Sequence, residues 1–178
     1  DIPLFVIISR LTEQKGLDLV NYLLPEFQQR SMQFAVLGVG DKKYEDAFLY
    51  YADIDSQKFS ASIKFDGELA RRMYAGADVL LMPSRFEPCG LAQMIAMRYG
   101  TLPLVRETGG LKDTVHKNNG FSFLNFNAHD MLYAVDCALD IWFNRKRRWR
   151  AMQKQAMTED YSWKASAREY RKLYREII

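Results

Sequence analysis

The sequence predicts an α/β fold: a doubly wound, parallel sheet of six strands with extra helices at the C-terminal end. Three observations predict it. Short apolar runs such as Leu4-Phe5-Val6-Ile7-Ile8 are continuous rather than alternating, as expected of strands covered on both faces. These runs alternate with stretches whose apolar residues recur at helical spacing, the pattern of strand–helix–strand units. With 178 residues, 48% hydrophobic and 26% charged, the chain can form one ordinary domain with a proper core.

Each element follows from its residues. Leu4 to Ile8 is the first strand. Leu17 to Gln29 puts Leu17, Val20, Leu24 and Phe27 on one side of a helix, which Pro25 is expected to kink or end. Phe34 to Leu37 is the second strand, closed by Gly38-Val39-Gly40, and Asp41 is placed to cap a helix from Lys42 towards Ala52. A third strand covers Ser60 to Phe65, and Glu68 to Ala75 reads as a short helix. Asp78 to Met82 is the fourth strand, stopped by Pro83. Helix is expected from about Gly90 to Tyr99 and strand from Leu102 to Val105, after which a Gly109-Gly110 turn opens a helix at Leu111. Phe121 to Leu124 supplies a sixth strand, and the chain from about Ala128 to Ile178 reads as helices broken near Asn144 and Asp160.

If the strand order is 3-2-1-4-5-6, the first and fourth strands are neighbours at the topological switch point. Ligands of such sheets bind beyond the carboxyl ends of those strands. Three loops then matter: Ser9 to Gly16, Pro83 to Leu91, and Arg106 to Leu111.

Composition narrows the function. A net charge of +3, from 25 basic and 22 acidic residues, does not suggest a nucleic-acid binder. The basic run Arg145 to Arg150, with Trp142 and Trp149, reads as the solvated face of a helix or a junction with another domain. Tyr161, Trp163, Tyr170 and Tyr174 read as core or domain-contact packing. Cys89 and Cys137 are too few for a disulfide scaffold, so a reducing compartment is expected; Cys89 itself reads as a small buried residue. No apolar run approaches the roughly twenty residues of a membrane span. His116 and His129 are isolated, so no metal site is expected. Gly38-Val39-Gly40-Asp41 lacks the third glycine of a dinucleotide fingerprint, which argues against an NAD enzyme. The chain enters its first strand directly from Asp1-Ile2-Pro3, as a fragment cut at a domain boundary would.

The first loop, Ser9-Arg10-Leu11-Thr12-Glu13-Gln14-Lys15-Gly16, carries two cations that can reach one anionic group. A guanidinium offers paired donors to a phosphate and an ammonium adds a mobile point charge. Taken alone, the pair also fits a solvated loop. In the second loop, Pro83-Ser84-Arg85-Phe86-Glu87-Pro88-Cys89-Gly90-Leu91, Glu87 is suited to accept hydrogen bonds from sugar hydroxyls, or to cap a helix. Gly90 lets backbone amides approach a ligand at a helix start. In the third, Arg106-Glu107-Thr108-Gly109-Gly110-Leu111, paired glycines allow a close backbone approach to phosphates, and they also serve plain turns.

Ser-Arg-Leu-Thr-x-Gln-Lys-Gly at 9–16, Pro-Ser-Arg-Phe-Glu-Pro-Cys-Gly-Leu at 83–91 and Thr-Gly-Gly-Leu-x-Asp-Thr-Val at 108–115 resemble the bacterial glycogen synthases and plant starch synthases. The likeness runs from about residue 4 to the Tyr161-Ser162-Trp163 region, and the Glu-Pro-Cys-Gly-Leu block is highly specific to that family. The resemblance implies the C-terminal, donor-binding Rossmann-like half of a two-domain, B-type glycosyltransferase, with residues 1–178 forming one nucleotide-sugar-binding domain. It implies retaining transfer of glucose from ADP-glucose to the non-reducing end of an α-1,4-glucan held through a missing N-terminal domain. By motif, Arg10 and Lys15 would hold the diphosphate and Glu87 would contact the transferred glucose. Cys89, Gly90 and Leu91 would line the sugar and phosphate subsite, with Thr108, Gly109 and Gly110 nearby, and Phe65 would pack on adenine. No cofactor or metal, no nucleic acid and no membrane is implied, and the location is cytoplasmic, or plastid in a plant.

The sequence departs from the pattern at three positions. Ile95 stands where related glycosyltransferases carry a second glutamate, which favours the synthases. Ala92 replaces a common hydroxyl residue, and Glu107 sets a negative charge beside the Thr-Gly-Gly turn. Two other functions fit the same residues: a non-catalytic nucleotide-binding regulatory module, and a UDP-sugar glycosyltransferase of the same architecture.

Overall fold

The computed structural model describes residues 1–177. Short apolar runs become six strands: β1 (Leu4–Ile8), β2 (Gln33–Leu37), β3 (Phe59–Ser62), β4 (Val79–Met82), β5 (Leu102–Arg106) and β6 (Phe121–Phe123). The helices are α1 (Leu17–Gln29), α2 (Lys42–Ile54), α3 (Gly67–Gly76), α4 (Ala92–Tyr99), α5 (Gly109–Thr114), α6 (Ala128–Asn144), α7 (Lys146–Thr158) and α8 (Trp163–Ile177). The sheet order is β3-β2-β1-β4-β5-β6, which meets the condition that places the switch point between the first and fourth strands. Every pairing is parallel, with Phe5 opposite Phe34 on one side of β1 and opposite Val79 on the other.

Successive residues of β1 feed opposite faces, which is why its apolar run is unbroken. Phe5 and Ile7 join a core with Phe34, Val36 and Leu81, covered by α1 and α6. Val6 packs with Leu80, Tyr74 and Ala96 beneath α3 and α4.

Local departures have physical causes. Pro25 lies inside α1 without ending it, because Leu23, Leu24 and Phe27 are all buried and their packing outweighs one lost backbone bond. β3 stops at Ser62, three residues short of the expected end, because the Lys64 amide turns back to the Ser62 carbonyl. Asp66 then caps α3 by accepting from the Leu69 amide at 2.9 Å. Asp41 occupies the cap position of α2, yet its side chain makes no cap bond. Instead Glu45, in the first turn, accepts from the Gly40 amide at 2.8 Å.

The basic run resolves into both a core and a surface component. Trp149 is buried against Phe121 and Trp142, while Arg147, Arg148 and Arg150 are exposed. The terminal aromatics are not core: α8 buries no residue, and Trp163 is 89% exposed. Among the described residues, no other element covers the apolar side of that helix. Cys89 is exposed, because it sits on a loop crest rather than beneath one. No helix among the described residues is long and apolar enough to cross a membrane.

Candidate active site

Three loops converge beyond the carboxyl ends of β1, β4 and β5. The first is pinned to the segment that follows β2 by the Leu11 amide, which donates to the Val39 carbonyl at 2.8 Å, and by the Asp41 amide, which donates to the Leu11 carbonyl at 2.7 Å. A single 3-10 turn, Glu13–Lys15, then ends at Gly16 with φ of 72°. A Cβ at Gly16 would stand 2.0 Å from the Pro83 carbonyl oxygen, so the first and second loops touch at bare backbone. The Arg85 amide donates to the Gln14 carbonyl at 2.9 Å across the same seam.

That contact brings Lys15 to Glu87, with Nζ 2.5 Å from Oε2. Ser84 Oγ donates to the same carboxylate oxygen at 3.3 Å. Glu87 is only 8% exposed, so its charge is balanced from within the site. Glu87 is not a helix cap: the cap position of α4 belongs to Leu91, four residues on.

Arg106, at the end of β5, secures the second loop from the other side through the Ser84 carbonyl at 2.9 Å and the Arg85 carbonyl at 2.6 Å. The third loop lies directly on residues 87–89. A Cβ at Gly109 would meet the Glu87 carbonyl oxygen at 2.1 Å, and one at Gly110 would meet that of Cys89 at 2.1 Å. The Gly110 amide donates to the Glu87 and Pro88 carbonyls, each at 3.2 Å. The glycine pair therefore answers a demand of loop-on-loop packing, and the Gly110 N–H is engaged within the chain. Thr108 sits at the cap position of α5 without a side-chain cap bond. The Glu107 carboxylate turns away to accept from Ser122 Oγ at 2.8 Å.

Between the first two loops lies a cavity of about 220 Å³ lined by Ser9, Arg10, Lys15, Met82, Ser84 and Ala92, among others. The Arg10 side chain is exposed and makes no hydrogen bond or ion pair among the described residues. Arg10 also borders a second, mostly apolar hollow of about 330 Å³, walled by Gly38, Val39, Phe65, Asp66 and Ala70. Phe65 is 94% exposed there, its ring face free. The Leu69 amide and the Lys64 ammonium hold the Asp66 carboxyl below the usual carboxylate range. Arg10 borders both hollows, Lys15 the first and Phe65 the second, while Glu87 is tied to the first through its ion pair with Lys15, although 55 to 77 positions separate Phe65 or Glu87 from Arg10 in the chain.

At the start of α4, Cys89 and Leu91 are exposed, and among the described residues none of the Cys89, Gly90 and Leu91 amides donates within the chain. Beneath them sits a residue that motif reading does not single out. Gln93 is fully buried, and the two N–H donors of its Nε2 are shared among three acceptors: the carbonyls of Cys89 at 3.1 Å and Gly90 at 2.9 Å, and Thr114 Oγ1 at 3.1 Å. Its Oε1 has no partner, an omission that costs about 1–3 kcal/mol. The sequence carries one signal for it: Gln93 is a polar residue on the inward stripe of α4 with Ala96 and Met97. No group of three or more metal-ligating side chains gathers among the described residues.

The model of the family described as glycosyl transferases group 1 matches residues 1–156. This chain belongs to that family. It is 49% identical to a glycogen synthase of Clostridium acetobutylicum, over all of this chain and 39% of that protein. Its identity to a Bacillus cereus glycogen synthase is likewise 49%, with the same coverage. Among solved structures it matches the catalytic domain of starch synthase IV from Arabidopsis thaliana, bound to ADP and acarbose. That match has a TM-score of 0.82 and 32% identity, and it covers 98% of this chain and 38% of the other. The sheet is accordingly that of one half of a two-domain, B-type glycosyltransferase. A sucrose-phosphate synthase from Thermosynechococcus elongatus shares the fold, with a TM-score of 0.72 at 23% identity. The chain spans about two fifths of the length of the curated relatives it matches.

Proposed function

We propose that residues 1–178 form the donor-binding domain of a retaining glucosyltransferase that moves glucose from ADP-glucose to the non-reducing end of an α-1,4-glucan. One observation carries this reading: Arg10 and Lys15 flank a single cavity at the switch point of the sheet, with the Glu87 carboxylate held against Lys15. The glycogen synthase relatives and the ADP in the name of the starch synthase structure support the choice of donor.

In this mechanism the C1–O bond to the diphosphate breaks as the glucan hydroxyl oxygen bonds C1 on the same face, and the hydroxyl proton passes to the departing phosphate oxygen. Negative charge develops on the departing phosphate. The Arg10 guanidinium meets it with two parallel donors, and Lys15 adds a point charge already aimed by Glu87. No metal or other cofactor takes part. Glu87 accepts from sugar hydroxyls with the lone pairs that Lys15 and Ser84 leave open, and Phe65 stacks on the base in the apolar hollow. The acceptor glucan is held by a further domain, and the enzyme works in the cytoplasm.

Calorimetric titration with ADP, UDP and ADP-glucose tests donor recognition. ADP and ADP-glucose are expected to bind and UDP to bind at least about tenfold more weakly, a difference of about 1.4 kcal/mol. Equal or tighter UDP binding would assign a UDP-sugar enzyme instead. Catalysis is tested by Lys15→Ala in the complete enzyme, where turnover is expected to fall by about 10²–10³. Near-normal turnover would remove Lys15 from the chemistry.

A further inference from the structure

Gln93 is an expensive choice for a fully buried position, because it leaves one carbonyl oxygen unpaired. Its value must lie in the nitrogen. Nε2 draws the carbonyl oxygens of Cys89 and Gly90 inward, at 3.1 and 2.9 Å. In a trans peptide the N–H points opposite to the C=O of the same plane. The Cys89 carbonyl shares its plane with the Gly90 N–H, and the Gly90 carbonyl with the Leu91 N–H. Holding both carbonyls towards the interior therefore turns the Gly90 and Leu91 N–H groups outward, away from the core. Neither donates within the chain among the described residues. The next residue, Ala92, lines the cavity that Arg10 and Lys15 flank.

We infer that Gln93 is a positioning residue: its side-chain amide fixes two adjacent peptide planes so that the Gly90 and Leu91 amides face an incoming phosphate. This rests on the donor-binding reading above and adds to it how the backbone donors are held. Thr114 completes the device. Its Oγ1 accepts from Gln93 at 3.1 Å and donates to the Gly110 carbonyl at 2.6 Å. The Gly110 amide in turn donates to the Glu87 and Pro88 carbonyls. The second and third loops are thereby locked around one buried amide. A side chain at Gly90 would break the arrangement, since a Cβ there would stand 2.5 Å from Gln93 Oε1.

Gln93→Met separates positioning from packing. Methionine keeps the volume and the unbranched shape, removes the two N–H donors and also removes the unpaired oxygen. The melting temperature is expected to hold, the Kd for ADP to rise about tenfold, and the Kd for adenosine, which lacks phosphates, to stay unchanged. An unchanged Kd for ADP, or equal weakening of ADP and adenosine, would overturn the role. A second measurement needs no variant: in the ¹⁵N-labelled wild-type chain, ADP is expected to shift the Gly90 and Leu91 amide resonances while adenosine does not. ADP binding without those shifts would sink this inference and leave the donor-binding function standing. Failure of the wild type to bind ADP would sink both.

Discussion

Lys15 and Glu87 are 72 positions apart in the chain and 2.5 Å apart in space. Each was legible as a charged residue in a loop at the mouth of the sheet; that they neutralise each other was not, because spacing says nothing about a contact between two loops. The pairing changes what Lys15→Ala should do. Beyond the loss of turnover, it leaves a carboxylate that is 8% exposed with only Ser84 Oγ for company, at a cost of about 2 kcal/mol in folding stability. Gln93 was missed for the opposite reason: its one signal, a polar residue on the inward stripe of α4, carries no charge and no motif to mark it. Tyr161 offers a clean pH test. Burial pushes its hydroxyl from 10.0 up to about 12, and that hydroxyl donates to the Thr114 carbonyl at 3.0 Å. A raised folded value means that the contribution is whole below pH 10 and disappears as pH climbs through about 12. Tyr161→Phe is expected to lower the melting temperature at neutral pH by removing one hydrogen bond. The gap to wild type should close across that alkaline window, and a gap that stays constant would place the hydroxyl outside any useful contact.

Among elements, the central strands β1 and β4 were the easiest to read, since four or five consecutive apolar residues leave little choice when both faces are covered. Their ends were harder. β3 ends at Ser62 because of a backbone turn and a cap that compete with strand pairing, and α1 runs through Pro25 because tertiary burial outvotes local propensity. The glycines show the same division. Gly109-Gly110 was visible as a turn; its seating on the carbonyls of residues 87–89 is set by the packing of one loop on another. Gly16 is the most exacting of these positions, combining φ of 72° with the Pro83 carbonyl where a Cβ would go. Gly16→Ala is expected to destabilise the chain by about 3 kcal/mol or more and to separate the first two loops. Gly76→Ala, in the last turn of α3 with nothing within 4 Å, should instead stabilise by about 0.5–1 kcal/mol. Chemical denaturation of both variants checks the contrast, and equal effects would refute the loop-contact account.

For the molecule as a whole, α8 stands apart. It has an apolar side carrying Trp163, Tyr170, Tyr174 and Ile177, yet buries none of its residues on this domain. Deleting residues 163–178 is accordingly expected to leave the melting temperature within about 2 °C of the intact chain. A large drop would mean that the helix does fold back onto the sheet. Sequence alone determined the parallel sheet and the charged loops that follow its strands, because these depend on local patterning and on the handedness of strand–helix–strand units, while the strand order entered as a condition that the structure meets. It also carried the family likeness. Only the tertiary structure decided which loop residues touch: that Lys15 meets Glu87, that the paired glycines seat one loop on another, and that Gln93 turns two peptide planes. The first two contacts join residues from different loops, and Gln93 takes its place through Thr114, 21 positions on, so side-chain geometry across such distances is fixed by packing rather than by any period in the chain.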